Sequence, residues 1–564
     1  MPTIPSSAPI APGRRVRVFI FVFLIVAMSL RGARIAVAAT APHEMVVAES
    51  EPAARAGLEI LRQGGNAIDA AVATSLALGV TNASSCGLGG GGFMLIYWAK
   101  TQKLYALDYR EVAPAAARPD MYMRDGKPDE QLARTGALAV AVPGEPAGLD
   151  AALRRFGTMK FSQLAAPAIK LARAGFPLNP HMARELMLVA PIIGQDAGFH
   201  AIYFNPDGTP RHAGAILHNP NLAALIESLG DAPAERFYHG AIAAKIADFV
   251  KQRGGILTAE DLASYRPLWR DPIHLPYDGY DVYTMPPPSS AGVVLEILGM
   301  LSNSNLAGLG ADSPAYLARL IEVMRQGFID RAQYADPGFV KVPLATLLSP
   351  EHIAQARDRA LHHAPAPSVA AAHDHGTSNF AVADRFGNVV EVTTTVNTIF
   401  GAKLMVESMG LVLNDEMDDF GVAPGVPNAF RLVGEENNEV APGKRPLSSM
   451  SPLIALKDGR PALAAGGSGG PTIISGVAQV TIDSFAFHLE PETAVRLPRV
   501  HQQAQPDIVF VEQELPFHTR DELTAMGYHL KIVPELGAIS AIRIRPGELR
   551  GAFDPLKGGG AVGD

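Results

Sequence analysis

Two runs of alternating β-branched residues face each other across a turn: Gly376-Thr377-Ser378-Asn379-Phe380-Ala381-Val382, then Asp384-Arg385-Phe386-Gly387-Asn388, then Val389-Val390-Glu391-Val392-Thr393-Thr394-Thr395-Val396-Asn397. The pattern predicts an antiparallel hairpin. With the turn centred near Phe386, Thr377 falls opposite Thr395, and a two-residue period puts Thr393, Thr395 and Asn397 on one face. A purely structural strand would carry Val or Ile there; a Thr-rich exposed strand is the plain alternative.

Upstream, Met45 to Ala48 reads as a short strand, and Ser50 with Pro52 opens a helix that carries Leu58 and Leu61 and stops at Gly64-Gly65. Asn66 caps a second helix with Asp69 in its first turn and an Ala-rich face running to Gly79, so the two helices are expected to pack through small residues. A strand from Phe93 to Trp98 turns at Lys100-Thr101-Gln102 and returns as Leu104 to Tyr109, delivering Arg110 at a sheet rim. Residues 140 to 370 read as mainly helical, with an apolar stripe of Leu317, Leu320, Ile321, Met324, Phe328 and Ile329 between Pro314 and Ala335. Ala360 to His375 reads as a linker.

The glycine run Gly87 to Gly92 follows Cys86 and enters a strand, and it lacks the Lys-Ser/Thr of a phosphate-binding loop. It predicts close backbone packing near a site. Cys86 is alone in the chain, which excludes an intrachain disulfide and a multi-thiolate metal site. His373, Asp374 and His375 could suggest a metal, but a polar linker accounts for them, and no metal or other cofactor is expected. The net charge of −8 and a pI near 6.1 supply no basic field, so no nucleic-acid partner is expected.

The first residues carry Arg14, Arg15 and Arg17, then 13 apolar-run residues from Val18 to Leu30, then Ala36-Val37-Ala38. That order predicts a signal peptide over residues 1–38 and a periplasmic or secreted protein. Arg31 and Arg34 keep an uncleaved N-terminal membrane anchor as the alternative, and Arg14-Arg15 hints at twin-arginine export.

Three downstream blocks decide the chemistry: Asn414-Asp415-Glu416-Met417-Asp418-Asp419-Phe420, Lys444-Arg445-Pro446-Leu447-Ser448-Ser449-Met450-Ser451-Pro452, and Gly466-Gly467-Ser468-Gly469-Gly470. Here the sequence resembles the γ-glutamyltranspeptidases, or glutathione hydrolases, over roughly Met45 to Pro555. The resemblance implies an α/β fold of the N-terminal-nucleophile type, an αββα arrangement with two stacked antiparallel sheets between helices. It also implies a proenzyme that cuts itself before Thr377 into a large subunit, 39–376, and a small one, 377–564, both within one structural domain. Thr377 would be the nucleophile and Thr395 its hydrogen-bonding partner. Arg110, in Arg110-Glu111-Val112-Ala113-Pro114, would bind the α-carboxylate of a γ-glutamyl donor such as glutathione with help from Ser448 and Ser449. Asn397, Glu416 and Asp419 would hold its α-amino group, on the side opposite Arg110. Gly469 and Gly470 would form the oxyanion hole, and 424–444 a lid with Phe430 near its tip. The acceptor would be water, an amino acid or a peptide.

Residue chemistry supports these roles. A threonine hydroxyl needs an adjacent base, and an N-terminal threonine carries one, since a free α-amine has a pKa of about 7.7 to 8.0. A guanidinium matches a carboxylate with two parallel hydrogen bonds. The family run of Thr-Thr-His is replaced by Thr377-Ser378-Asn379, and Ser468 and Pro471 also depart from the usual pattern. A cephalosporin or glutaryl acylase of the same fold, and an unprocessed periplasmic binding protein, remain as other readings.

Overall fold

A computed structural model describes residues 37–363, 376–423, 425–433 and 436–564. The residues around His373 and nearly all of the predicted signal segment lie outside the described residues. The strands that carry the site are β1 (Val37–Ala41), β2 (Met45–Ala48), β3 (Gly91–Trp98), β4 (Lys103–Tyr109), β5 (Leu268–Arg270), β6 (Ile273–Tyr277), β7 (Tyr280–Thr284), β8 (Gly376–Ala383), β9 (Val389–Asn397), β10 (Leu453–Lys457), β11 (Arg460–Ser468), β12 (Ala538–Arg545), β13 (Glu548–Phe553) and β14 (Gly560–Gly563). They form two 7-stranded sheets, in the orders β14-β2-β8-β9-β3-β4-β5 and β1-β13-β12-β11-β10-β7-β6. Every pairing within them is antiparallel.

The sequence explains why the hairpin β8–β9 sits in the middle of its sheet. Both of its faces are buried, so its apolar residues divide between two cores rather than alternating with solvent. Phe380, Val382, Val390 and Val392 pack with helices α1 (Glu51–Arg62) and α2 (Ala67–Thr81). Ala381, Ala383 and Val389 point the other way, into a core shared with Leu453, Leu463, Ala465 and Ala541 of the second sheet. Helices α5 (Gly292–Leu301), α6 (Pro314–Asp330) and α8 (Thr472–Phe485) cover that second sheet, with α3 (Glu145–Phe156), α4 (Phe161–Ala174) and α7 (Pro350–Leu361) filling out the helical layers. Helix, sheet, sheet, helix is the expected order. Each fully buried Val or Phe in the strands contributes about 1.5–3 kcal/mol.

Asn66 caps α2 as read: its side chain accepts from the backbone N–H of Ile68 and Asp69, while Asp69 accepts from the Asn66 N–H at 2.9 Å. The glycine run also does what was expected. A Cβ on Gly90 would lie 1.9 Å from the Thr395 carbonyl oxygen, so only glycine lets β9 come this close. The 140–370 region is mainly helical as expected, and within it 268–284 supplies β5, β6 and β7, where Pro272 and Pro276 break the strand pattern. One expectation is corrected: Ile329 is 43% exposed, because it lies about 100° round the helix from buried Phe328 and so falls off the apolar stripe.

Candidate active site

In the hairpin, Thr377 pairs with Thr395 as predicted, but the register shifts between Gly376 and Thr377, so Gly376 faces Asn397 across a bulge. The bulge turns the Gly376 carbonyl toward Thr395, whose hydroxyl donates to it at 2.9 Å. The Asn397 N–H donates to the same Thr395 oxygen at 2.8 Å. Thr377 Oγ1 lies 3.1 Å from Thr395 Oγ1. Since the single Thr395 hydroxyl proton is committed to Gly376, Thr377 must be the donor in that contact. Its oxygen is thereby held beside its own preceding carbonyl.

A small cleft opens over this hydroxyl. Its lining brings together Thr377, Thr395, Asn397, Arg110, Glu416, Asp419, Ser448, Ser449 and Gly470, with Phe430, Met450 and Ile473 as apolar wall. Gly469 directly precedes Gly470 where β11 gives way to α8. Every site residue read from the sequence therefore falls in or beside one cleft, although their positions span more than 350 residues of chain.

Arg110 is not a rim residue. It is fully buried at the end of β4, its Nη1 on Glu416, its Nη2 on Asp419 and its Nε donating to the Pro446 carbonyl at 3.2 Å. The basic and acidic groups expected on opposite sides of a donor are thus paired with each other. Burial pushes the Glu111 carboxyl, 3.6 Å from Arg110, up to about 8, and lifts Glu416 and Asp419 against the pull of the guanidinium. Burial alone would lower Arg110, but the surrounding carboxylates more than offset it and keep it charged. Asn397 takes the left-handed conformation, φ 80°, and donates to the Asp415 carbonyl at 3.0 Å, leaving its Oδ1 as an acceptor for the cleft.

Gly469 and Gly470, the expected oxyanion donors, sit in a turn only glycine takes without strain, with φ 130° at Gly469 and 59° at Gly470. Thr472 Oγ1 ties back the Gly469 carbonyl at 2.7 Å and the Ile473 N–H the Gly470 carbonyl at 3.0 Å. Neither glycine N–H has an acceptor among the described residues, and the N-terminus of α8 adds its positive end. A Cβ on Gly470 would lie 2.6 Å from the Phe430 ring. Gly470→Ala keeps the backbone N–H but must move it, or the Phe430 ring, from its present place, and is therefore expected to lower kcat for the best substrate roughly 100-fold; an unchanged kcat would show that the placement of this N–H does not matter to turnover.

The sequence matches the family model described as "Gamma-glutamyltranspeptidase" over residues 53–564. The chain belongs to the γ-glutamyltranspeptidase family. Among its relatives, the glutathione hydrolase proenzyme of Escherichia coli is 39% identical over 527 residues, covering 91% of this chain and 90% of the other. That of Pseudomonas aeruginosa is 39% identical over 532 residues, covering 92% and 94%. Among solved structures, a cephalosporin acylase from Bacillus halodurans is similar with a TM-score of 0.84 and 28% identity, covering 100% of this chain and 99% of that one. The Helicobacter pylori γ-glutamyltranspeptidase gives 0.53 and 35%, covering 54% and 88%.

In this γ-glutamyltranspeptidase the departures at 378 and 379 keep their side chains out of the cleft over Thr377. Asn379 Nδ2 donates to Glu391 at 2.6 Å and to the Val392 carbonyl at 2.8 Å, and its Oδ1 accepts from Ser540. Ser378 accepts from Asn82 at 2.7 Å. Neither residue lines the cleft, so both changes are absorbed by buried structural hydrogen bonds. The 425–433 part of the segment expected to act as a lid packs against the cleft, with Phe430 in its wall: Asn428 donates to Asp419 at 3.3 Å, and Gln503 donates to the Phe430 carbonyl at 3.2 Å. Cys86 is buried and its thiol is pushed up by desolvation, which makes it inert.

Two cations near the cleft escaped sequence reasoning. Lys557, nearly at the chain's end, donates to the Thr377 carbonyl at 3.1 Å and pairs with Glu49 at 3.5 Å. Arg331 follows α6 and donates to Ser449 at 3.4 Å. Single cations in unrelated segments leave no pattern to read. The metal-ligating side chains that gather among the described residues are Glu296, Asp330 and His352, none of which lines the cleft. His352 lies 2.8 Å from Asp330, and Tyr334 donates to Glu296 at 2.8 Å.

Proposed function

We propose that the protein hydrolyses and transfers γ-glutamyl groups, taking glutathione and related γ-glutamyl amides as donors and water, amino acids or peptides as acceptors, and that it matures by cleavage before Thr377. The observation that carries this reading is the cleft itself: a threonine hydroxyl at one end, and at the other a guanidinium beside two carboxylates, a match for a zwitterionic amino acid. After maturation the Thr377 amine takes the Thr377 hydroxyl proton as Oγ1 attacks the γ-carbonyl carbon. The Gly469 and Gly470 N–H groups receive the developing oxyanion. Collapse breaks the C–N bond, the leaving amine takes the proton, and a γ-glutamyl ester of Thr377 remains. Water or an acceptor amine then attacks that ester, frees the Thr377 hydroxyl and releases glutamate or a new γ-glutamyl amide.

The likeness to a cephalosporin acylase gives the rival. A glutaryl group has the carboxylate but lacks the ammonium that Glu416 and Asp419 would bind. Assay with a chromogenic γ-glutamyl amide and the matching glutaryl amide separates the two. The γ-glutamyl compound is expected to be preferred by roughly 10-fold or more, about 1.4 kcal/mol; preference for the glutaryl compound would establish the acylase reading, and turnover of neither would favour a binding protein.

Export is part of the same proposal. A cut after Ala38 would leave Ala39 to Ala41 of β1 paired with Leu549 to Gly551. Among the described residues no helix is long and apolar enough to cross a membrane. N-terminal sequencing of protein recovered by osmotic shock is expected to begin at or near Ala39; recovery only from detergent-treated membranes, with residue 2 at the start, would establish the anchor.

A further inference from the structure

Arg331 is an under-partnered buried cation. It is 8% exposed, yet its side chain's only hydrogen bond among the described residues is the 3.4 Å contact from Nη2 to Ser449 Oγ, and its Nε has no partner. No carboxylate among the described residues pairs with it within salt-bridge distance, although Asp419 attracts it and Arg110 repels it. Burial brings its pKa down to about 10, so it stays charged at neutral pH. A guanidinium has five N–H donors, and burying one so poorly satisfied is costly unless an anion completes the arrangement.

The neighbours identify that anion. Ser449 and Asp419 both line the nucleophile's cleft, and Asp419 also lines the adjoining cleft with Arg331 and Asn428. Arg110 is occupied by Glu416, Asp419 and the Pro446 carbonyl. Two of its five N–H donors remain, so a donor carboxylate must share the guanidinium with Glu416 and Asp419, whose charges oppose it. If Nη2 turns from Asp419 to the substrate, Asp419 keeps its charge only with other positive groups beside it: the donor ammonium on one side and Arg331 on the other. Arg331 also fills a lone pair of Ser449, and the Ser449 hydroxyl proton has no acceptor among the described residues. That proton is left to point into the cleft.

We propose that Arg331 is a positioning residue for the donor α-carboxylate, acting through Ser449, whose hydroxyl it orients, and through Asp419, whose charge it balances once Arg110 is shared with the substrate. The proposal rests on the γ-glutamyl reading above. The α-carboxylate lies far from the reacting carbonyl, so its loss should appear mainly in KM rather than in kcat.

The experiment uses mature wild-type, R331Q, R331K, S449A and R331Q/S449A enzyme, each confirmed as two chains, with three amides of one chromogenic amine. The γ-glutamyl amide carries carboxylate and ammonium, the glutaryl amide only the carboxylate, and the 4-aminobutyryl amide only the ammonium. R331Q is expected to lower kcat/KM roughly 10-fold for the first two through KM, and less than about 3-fold for the third. R331K, which keeps the charge but is too short to reach Ser449 in the same way, should fall between wild type and R331Q. The double variant should be little worse than R331Q alone, since both changes remove one hydroxyl-to-carboxylate contact. Equal losses on all three substrates in R331Q and R331K would assign Arg331 a structural role and overturn the proposal, as would no loss on any. If wild type itself handled the 4-aminobutyryl and γ-glutamyl amides alike, the donor reading would fail first, and that outcome needs no Arg331 variant to be seen.

Discussion

Wild-type protein is expected to run on a denaturing gel as two chains of about 36 and about 20 kDa, in proportion to 59.6 kDa over 564 residues, and Thr377→Ala as one chain of about 56 kDa. The uncut geometry is already arranged for the break. Thr377 Oγ1 sits beside the Gly376 carbonyl, which Thr395 polarises from 2.9 Å, and the bulge between Gly376 and Thr377 removes that peptide from the regular ladder. Attack of Oγ1 on the Gly376 carbon breaks the C–N bond and leaves Gly376 esterified to Thr377 with its amine free. Water then releases the Gly376 carboxylate and restores the hydroxyl. The reaction uses the oxygen that later forms the γ-glutamyl ester, so Thr377→Ala should lose processing and at least about 1,000-fold of activity together. Thr377→Ser keeps the hydroxyl and should still be cut, more slowly, because without the γ-methyl its side chain samples more rotamers. Cleavage at this bond in Thr377→Ala would overturn self-processing, and a two-chain Thr377→Ala product with wild-type turnover would overturn the nucleophile as well.

Much of this site was legible because its signals are local. The hairpin announced its own register, and the polar row of Thr393, Thr395 and Asn397 ends at the cleft: Thr395 and Asn397 line it, while Thr393 is buried between the sheets. The glycine run before β3 reported the close approach of β9, and Asn66 with Asp69 reported a helix start. What stayed hidden depends on distant partners. That Arg110 meets Glu416 and Asp419 directly, rather than across a bound donor, follows from β4 ending against the turn at Glu416–Asp419, and no spacing within either segment encodes that. Lys557 reaches Thr377 across 180 residues. The strands at 268–284 were missed because prolines and short length erase a two-residue period, and edge positions tolerate them. Ile329 was misplaced because one residue beyond Phe328 already turns about 100° round the helix, off the buried stripe.

The same Arg110 pairing sharpens the expectation for donor recognition. A zwitterionic donor exchanges one set of ion pairs for another: its carboxylate replaces a carboxylate on Arg110, and its ammonium replaces the guanidinium beside Glu416 and Asp419. Deleting one protein partner then leaves a substrate charge buried without its counterpart, at a cost of roughly 2 to 5 kcal/mol. Arg110→Ala and Asp419→Ala, both still processed, are expected to lower kcat/KM for a γ-glutamyl amide by roughly 30-fold or more, since about 1.4 kcal/mol is tenfold. The glutaryl amide has no ammonium, so Asp419→Ala should leave it nearly unchanged, whereas Arg110→Ala should damage both. Stability runs the other way for the two variants. Arg110→Ala strands three buried carboxyls, Glu111, Glu416 and Asp419, which can escape by taking up protons, while Asp419→Ala leaves Arg110 with Glu416 and the Pro446 carbonyl. Arg110→Ala should therefore be less stable as pH rises, because the stranded carboxyls must then ionise without their cation. Thermal melts of both variants between pH 6 and 9 test that sign. Equal damage to the two amides by Asp419→Ala would detach Asp419 from the ammonium, and the paired charges would then serve only to hold the floor of the cleft.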